Sequence, residues 1–345
     1  MKAVLIQANG ASDQVVLGTA ADPVPGPAEV RVRLRAAALN HLDLFVLEGL
    51  PGLKLAFPHI GGADGVGIID TLGPGVEGWA PGRRVVFDPG LSCGRCPSCL
   101  RGEQSLCVSF GILGEHCRGT FAEFVCVPAA NLAPAPEHLT DEEAAAFPLT
   151  WLTAFRMLFT RGRLGPGESV LIHGVGSGVS LAALQMAKAA GAVATVTSSS
   201  DAKLEKARAM GADAGINYAR ERVDKAMQEL TRGEGVDMVV DSVGAATWMT
   251  SLKCAKKGGR ILTCGATSGP NPAEEIRLVF WKQLSILGST MGSRSDFARM
   301  LAFMAAGKLH PVVDTVLPLE QARRAYERLA KGEQFGKIVL RHESL

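Results

Sequence analysis

The sequence of 345 residues has no long apolar run, no excess of either charge, and no repeated or low-complexity segment. Each absence closes off a class of function. Nothing in it is long and apolar enough to be read as a bilayer-spanning helix. Residues 1–10 carry one lysine and only a few apolar side chains, too short a run for a secretion signal. A net charge of +2 with no Lys/Arg block leaves no footprint for nucleic acid. With 47% hydrophobic and 20% charged residues, the chain is expected to be globular, soluble and cytoplasmic. Its length suits two domains, each able to bury a core of its own.

A disulfide scaffold is also missing, although cysteine is not. Eight cysteines in a chain of this length and expected compartment do not read as a set of bridges. Cys117, Cys126, Cys254 and Cys264 are scattered and read as small buried thiols. The other four fall together, at Cys93, Cys96, Cys99 and Cys107. Four thiolates so spaced can close a tetrahedral zinc site, one per chain, that cross-links a loop. Redox cysteines or an iron–sulfur centre are the alternatives. With all four positions taken by cysteine there is no place for water, so the metal is expected to hold structure only.

The first third of the chain reads as antiparallel sheet. Residues 29–36 alternate strictly, with Val30, Val32 and Leu34 on one face and Arg31, Arg33 and Arg35 on the other. Residues 61–82 are rich in glycine turns. Thr140 and Glu143 frame a helix start, and Pro148 is expected to end that helix. From about residue 168 the rhythm becomes strand, helix, strand, helix. Strands are predicted over 169–172, 193–197, 238–241, 260–264 and 285–288, and helices over 179–190 and 202–210. Such alternation implies a parallel doubly wound sheet. Near the end, Leu319, Ala322, Tyr326 and Leu329 form one face of an amphipathic helix, and residues 335–340 read as a closing strand.

Gly174, Gly176, Ser177, Gly178 and Val179 join the first parallel strand to its helix. Glycines there let backbone amides approach a pyrophosphate, which the helix N-terminus stabilises. Val179 stands where a third spaced glycine would fall, so the loop alone is weak evidence. The strand before it, the helix after it and a second strand ending about twenty residues on supply the context. That second strand leads into Ser198, with Lys203 just beyond. Asp201 is the nearby acid, and it reads as a helix cap. Hydroxyls and a lysine suit a 2′-phosphate, so NADP(H) is favoured over NAD(H).

Taken together these motifs resemble the medium-chain dehydrogenase/reductase superfamily, the fold of zinc alcohol dehydrogenases and quinone oxidoreductases. The resemblance covers nearly the whole chain. It is carried by residues 40–43, 62–67, the cysteine lobe, 119–124, the glycine loop, 211–213, 236–244, 258–260 and 335–337. It implies an α/β architecture: a GroES-like, mostly antiparallel β domain over 1–149 and 292–345, with a zinc lobe at about 90–110. A Rossmann domain with a doubly wound parallel sheet would span 150–291, and the active site would lie in the cleft. It further implies a homodimer or homotetramer acting on a small-molecule substrate. His41 would face the cofactor pyrophosphate, Gly265 would line the cofactor site, and Asp43 and Lys337 would pair internally.

The departures from the family pattern bear on mechanism. Zinc-dependent relatives carry a catalytic cysteine where this chain has Asn40. Their Gly-His-Glu reads here as Gly62-Ala63-Asp64, and no cysteine occurs around residues 148–151. The relay hydroxyl is replaced by Leu42. The pattern at residues 40–43 matches the quinone-reductase branch, while the cysteine lobe matches the alcohol-dehydrogenase branch. Oxidising an unactivated alcohol leans on a metal, whereas reducing an electron-poor alkene needs only hydrogen bonds to the developing enolate. The leading expectation is an NAD(P)H-dependent oxidoreductase, passing hydride from NADPH to an activated alkene, quinone or carbonyl without a catalytic metal. Asn40, Asp43 and Asp64 are its candidate catalytic residues, with Asn40 touching substrate. One alternative is an alcohol dehydrogenase whose zinc is held by His59, Asp64 or His116. Another is an NADP(H)-binding sensor without turnover.

Overall fold

In a computed structural model describing residues 1–342, the chain divides into two units. The first holds Met1–Thr150 together with the chain from Ser293 onward, and the second holds Trp151–Gly292. The expected extent of the first domain, to residue 345, ends in three residues that lie outside those described. No helix among the described residues is long and apolar enough to cross a membrane.

The first unit is built on a seven-stranded sheet with Glu29–Ala38 near its centre. Val30, Val32 and Leu34 are buried, packing with Ile69, Val85 and Phe87, while Arg31 reaches out to Asp70 at 2.6 Å. Alternation stops at Ala36, Ala37 and Ala38, all fully buried. The far end of the chain covers them: strand Lys337–Arg341 pairs antiparallel with this stretch and parallel with Val313–Pro318. Its neighbour on the other side is Asp64–Leu72, a strand inside the glycine-rich segment.

Helix Asp141–Ala145 has the reciprocal Thr140/Glu143 cap. Pro148 does not terminate it. That helix has ended by Ala146, and Pro148 opens the next one, Pro148–Phe155, where its missing N–H costs nothing. The helix Ala322–Ala330 buries Ala322, Tyr326 and Leu329, the face expected, and Leu319 is buried in the short turn before it. The closing strand begins at Lys337 because Gly336 turns the chain with φ 116°.

The second unit carries six strands, all parallel. Across the sheet they run Ala214–Asn217, Val193–Ser198, Ser169–Ile172, Val236–Asp241, Ala255–Thr263 and Ser285–Gly288. The first strand in sequence sits inside, and the chain winds outward from it in both directions, the Rossmann arrangement. Val170, Leu171 and Ile172 are fully buried, as helices on both faces of such a sheet require. Burying each such side chain contributes roughly 1.5–3 kcal/mol. Strand Ala214–Asn217 and helix Val223–Leu230 are additions to the pattern read from sequence.

Candidate functional site

Three polar constellations stand out, two in the first unit and one in the second. The cysteine lobe comes first. Pro97 starts a short helix, Pro97–Leu100, that turns Cys96 and Cys99 toward Cys93, and a following turn returns Cys107. All four sulfurs lie within 4.8 Å of one another, with Cys93–Cys107, Cys96–Cys99 and Cys93–Cys99 at 3.5, 3.6 and 4.0 Å. Sulfurs held ~2.3 Å from a tetrahedral zinc would be about 3.8 Å apart, so the donor set fits that ion. Amides point at the sulfurs: Cys93 N–H donates to Cys107 Sγ, Cys96 N–H to Cys93 Sγ and Ser109 N–H to Cys107 Sγ. Such donors hold Cys93 and Cys96 below the ordinary thiol range, which favours the thiolates a metal needs. Among the described residues no other group of three or more His, Cys, Asp or Glu side chains could hold a metal.

The second constellation gathers Asn40, Asp43, Asp64 and Lys337. Asn40 precedes helix His41–Glu48, Asp64 begins its strand, and Lys337 begins the closing strand beside them. All four are buried, Asp64 completely. Lys337 Nζ donates to Asn40 Oδ1 at 2.5 Å and to Asp64 Oδ2 at 3.0 Å. Asn40 Nδ2 donates to the same Asp64 oxygen at 2.9 Å, and Leu149 N–H donates to Oδ1 at 2.7 Å. Asp43 accepts from Asn40 N–H at 2.7 Å and from Gly62 N–H at 3.0 Å. The Gly62 amide reaches Asp43 through a backbone with φ 95°, where a Cβ would fall 2.5 Å from Thr120 Oγ1. Burial pushes the Asp43 carboxyl up to about 7 despite those two amides and the nearby Lys337 charge.

This geometry revises one expectation. The internal pair is Lys337 with Asp64, and Asp43 is held by backbone amides instead. Asn40, expected to touch substrate, donates one amide N–H to Asp64 and accepts from Lys337 at Oδ1. Asp64 accepts three hydrogen bonds, two at Oδ2 from Asn40 and Lys337 and one at Oδ1 from Leu149 N–H. The cluster thus sets one cation, Lys337, against Asp64, with Asp43 on backbone amides beside it. The loop where relatives were expected to supply a third ligand supplies the Leu149 amide. The hydroxyl of the next residue, Thr150, is buried and has no hydrogen-bond partner.

The remaining histidines lie outside this scaffold's hydrogen bonds. His59 is buried and donates from Nε2 to Gly114 O at 2.8 Å, while His116 Nδ1 accepts from Ile112 N–H at 3.1 Å. His41 opens its helix, exposed, with its ring edge-on to Phe45.

The third constellation lies at the carboxyl ends of the parallel strands. Gly174 has φ 66° and Gly176 φ 121°, the backbone that leads from strand Ser169–Ile172 into helix Gly178–Ala189. Ser177 caps that helix by accepting from Ser180 N–H. The first helical amides, from Gly178 and Val179 on, therefore sit at a glycine-rich turn, the arrangement that binds a pyrophosphate. Across the crevice, Gly265 approaches Ser242 so closely that a Cβ would stand 3.1 Å from its carbonyl oxygen. At the second strand, Ser198 is buried, its Oγ accepting from Ser200 N–H. The cap of helix Asp201–Ala209 is Ser200, not Asp201. Asp201 is the first helical residue, its carboxylate bonded to Asn217 at 2.6 Å and Arg220 at 2.5 Å. Lys203, half-buried, follows in the first turn.

Comparison with known proteins bears on both units. Residues 26–137 match the alcohol dehydrogenase GroES-like domain, and residues 178–306 match the zinc-binding dehydrogenase domain. The chain is 39% identical over 323 residues to a zinc-type alcohol dehydrogenase-like protein of Schizosaccharomyces pombe, covering 91% of each. It is 35% identical over 345 residues to an acryloyl-coenzyme A reductase of Metallosphaera sedula, covering 99% of each. A solved NAD-dependent alcohol dehydrogenase superposes with a TM-score of 0.95 at 50% identity, again over 99% of each chain.

Proposed function

From the premise that the chain belongs to the medium-chain dehydrogenase/reductase superfamily, as an NAD(P)-dependent oxidoreductase, we propose that it reduces activated alkenes. The substrate would be an alkene conjugated to a carbonyl, with quinones and electron-poor carbonyls as related acceptors. The observation that carries this reading is the fate of the ligand positions. Asn40 and Ala63 stand where zinc alcohol dehydrogenases place ligands, and Asn40 and Asp64 are bound by Lys337. The Metallosphaera relative, named for reduction of an unsaturated thioester, supports the same substrate class.

A bound reduced dinucleotide would supply hydride to the electron-poor carbon. Residues Gly174–Val179 would hold its pyrophosphate, with Gly265 leaving room opposite. Ser198, Ser199 and Lys203 would receive a 2′-phosphate, and the engagement of Asp201 by Arg220 reduces the repulsion that phosphate would meet. NADPH is therefore the proposed donor, and His41 a proposed contact to it. Asn40, Asp43 and Asp64 position the loops of the first unit, and the Thr150 hydroxyl donates a hydrogen bond to the enolate oxygen. Solvent supplies the proton at carbon. The four cysteines would hold one zinc per chain, in a structural role. A homo-oligomer remains the proposed assembly, supported by the exposed edge strand Ser285–Gly288 and the exposed Phe280 and Trp281 nearby in sequence.

The deciding experiment incubates purified protein with NADPH or NADH and a panel of enones, unsaturated acyl thioesters, quinones, aldehydes and simple alcohols. Expected is NADPH oxidation with the conjugated alkenes, and kcat lowered about a hundredfold by Thr150→Val. Efficient oxidation of simple alcohols, with enones and quinones ignored, would overturn the reading. Binding of NADPH without turnover of any acceptor would point to a sensor.

A further inference from the structure

Below the glycine loop of the second unit lies a set of buried polar side chains that the proposed reaction does not use. Asp241 ends strand Val236–Asp241 and is fully buried, and among the described residues its donors are backbone amides and hydroxyls, with no lysine or arginine ion pair. Its carboxylate accepts from Val243 N–H at 2.9 Å and Gly244 N–H at 3.0 Å, from Thr247 Oγ1 at 2.8 Å and from Ser251 Oγ at 2.6 Å. Ser251 in turn lies 3.1 Å from His173 Nε2. His173 Nδ1 lies 3.4 Å from Thr197 Oγ1, and Thr197 Oγ1 accepts from Gly174 N–H at 3.2 Å. The chain of contacts thus runs from the first glycine of the loop to the carboxylate, across the ends of three neighbouring strands.

The direction of every bond follows from proton counting. A carboxylate oxygen only accepts, so Ser251 spends its single hydroxyl proton on Asp241. Its oxygen must then receive a proton from His173, which fixes the N–H on Nε2. Nδ1 is left as an acceptor and takes the Thr197 hydroxyl proton. Thr197 Oγ1 is thereby free to accept the Gly174 amide. Burial lowers the basicity of His173, which keeps the imidazole neutral, as this ordering requires. The two ends of the relay are the two loops of the cradle. Gly174 opens one, and Val243 and Gly244, held by Asp241, form the other. The loops lie close together: a Cβ added at Gly174 would stand 3.5 Å from Val243 Cγ2.

We propose that His173 and Ser251 are positioning residues for the dinucleotide, fixing the spacing of the Gly174 and Val243–Gly244 loops through a one-way relay from Gly174 to Asp241. Neither would contact the cofactor. The proposal rests on the dinucleotide reading of the glycine loop given above. Ser251→Ala removes the link and leaves Asp241 its other donors. NADPH binding, followed by the fluorescence of the reduced nicotinamide, is expected to weaken about fivefold to tenfold. KM for NADPH rises with it while kcat at saturating NADPH is kept, and Ser251→Thr, which restores a hydroxyl, recovers part of the affinity. An unchanged Kd in folded Ser251→Ala, with the parent binding normally, overturns the relay. A parent protein that binds no dinucleotide overturns the cofactor reading instead. Imidazole nitrogen NMR of the parent protein gives an independent test should the variant not fold. It should find His173 protonated at Nε2 alone, and a proton on Nδ1 would sink the proposal.

Discussion

The cysteine lobe and the Asn40–Asp64–Lys337 cluster sit in the same unit and solve opposite problems. In the lobe four like ligands converge, and backbone amides favour the thiolate form of Cys93 and Cys96. Only Cys99 and Cys107 among them are buried, and Leu100, Leu106 and Val108 around them stay exposed. So little apolar surface cannot fold a loop by itself, and a cross-link takes over the work. In the cluster the side chains are buried inside a sheet that already has its core. There the cation is a lysine that arrives on a strand. On the proposed reading a metal would substitute for packing in the lobe, whereas in the cluster a lysine pairs with Asp64 where packing suffices.

Zinc content tests this contrast most severely. Elemental analysis of protein purified without added metal should give about one zinc per chain, falling close to zero with a lower melting temperature in Cys96→Ser. A second zinc retained in that variant would break the comparison and revive the alcohol dehydrogenase alternative. Next in size is Lys337→Met, which strands Asp64 without its cation. Urea unfolding should show a loss of about 3–5 kcal/mol with zinc content unchanged.

His342 sharpens the point, because it follows the same strand as Lys337 but, among the described residues, its Nε2 has no hydrogen-bond partner. Burial pushes its imidazole down to about 4. The unfolded chain therefore binds the proton that the folded chain refuses. Stability from this residue is complete above pH ~6.5 and is lost as pH falls toward about 4. Between pH ~6.5 and ~5 that loss should be about 2 kcal/mol, and absent in His342→Leu. Smallest is Asp43→Asn, which turns an amide N–H toward one of two backbone donors and should cost about 1–2 kcal/mol.

What could be read from the sequence was whatever is local. The cysteine spacing spans fifteen residues, and the alternation at Val30, Val32 and Leu34 reports one strand's two faces. The buried parallel strands declare themselves as short apolar runs. Ala214–Asn217 does not, because Ala-Gly-Ile-Asn has neither apolar length nor β-branched richness. Pro148 was ambiguous, since the same residue that breaks one helix opens the next. The partner of Lys337 was out of reach for a different reason. Asp43 and Asp64 are both acids near that strand, and only the register of Lys337–Arg341 against Glu29–Ala38 selects between them. The relay under Gly174 was equally hidden, because His173 and Ser251 are 78 residues apart and look unremarkable singly.

The bond between Lys337 and Asp64 also carries a timetable. Their separation is 273 residues. A ribosome adding about 5–20 residues each second leaves Asp64 without its cation for roughly 15–55 s. All of Trp151–Gly292 is synthesised in that interval. The first unit to be started is thus the last to be finished, and its sheet keeps an unpaired edge at Ala36–Ala38 until then. Nascent chains stalled before residue 337 should expose that edge to other strands, and synthesis speed through the second unit becomes a determinant of yield.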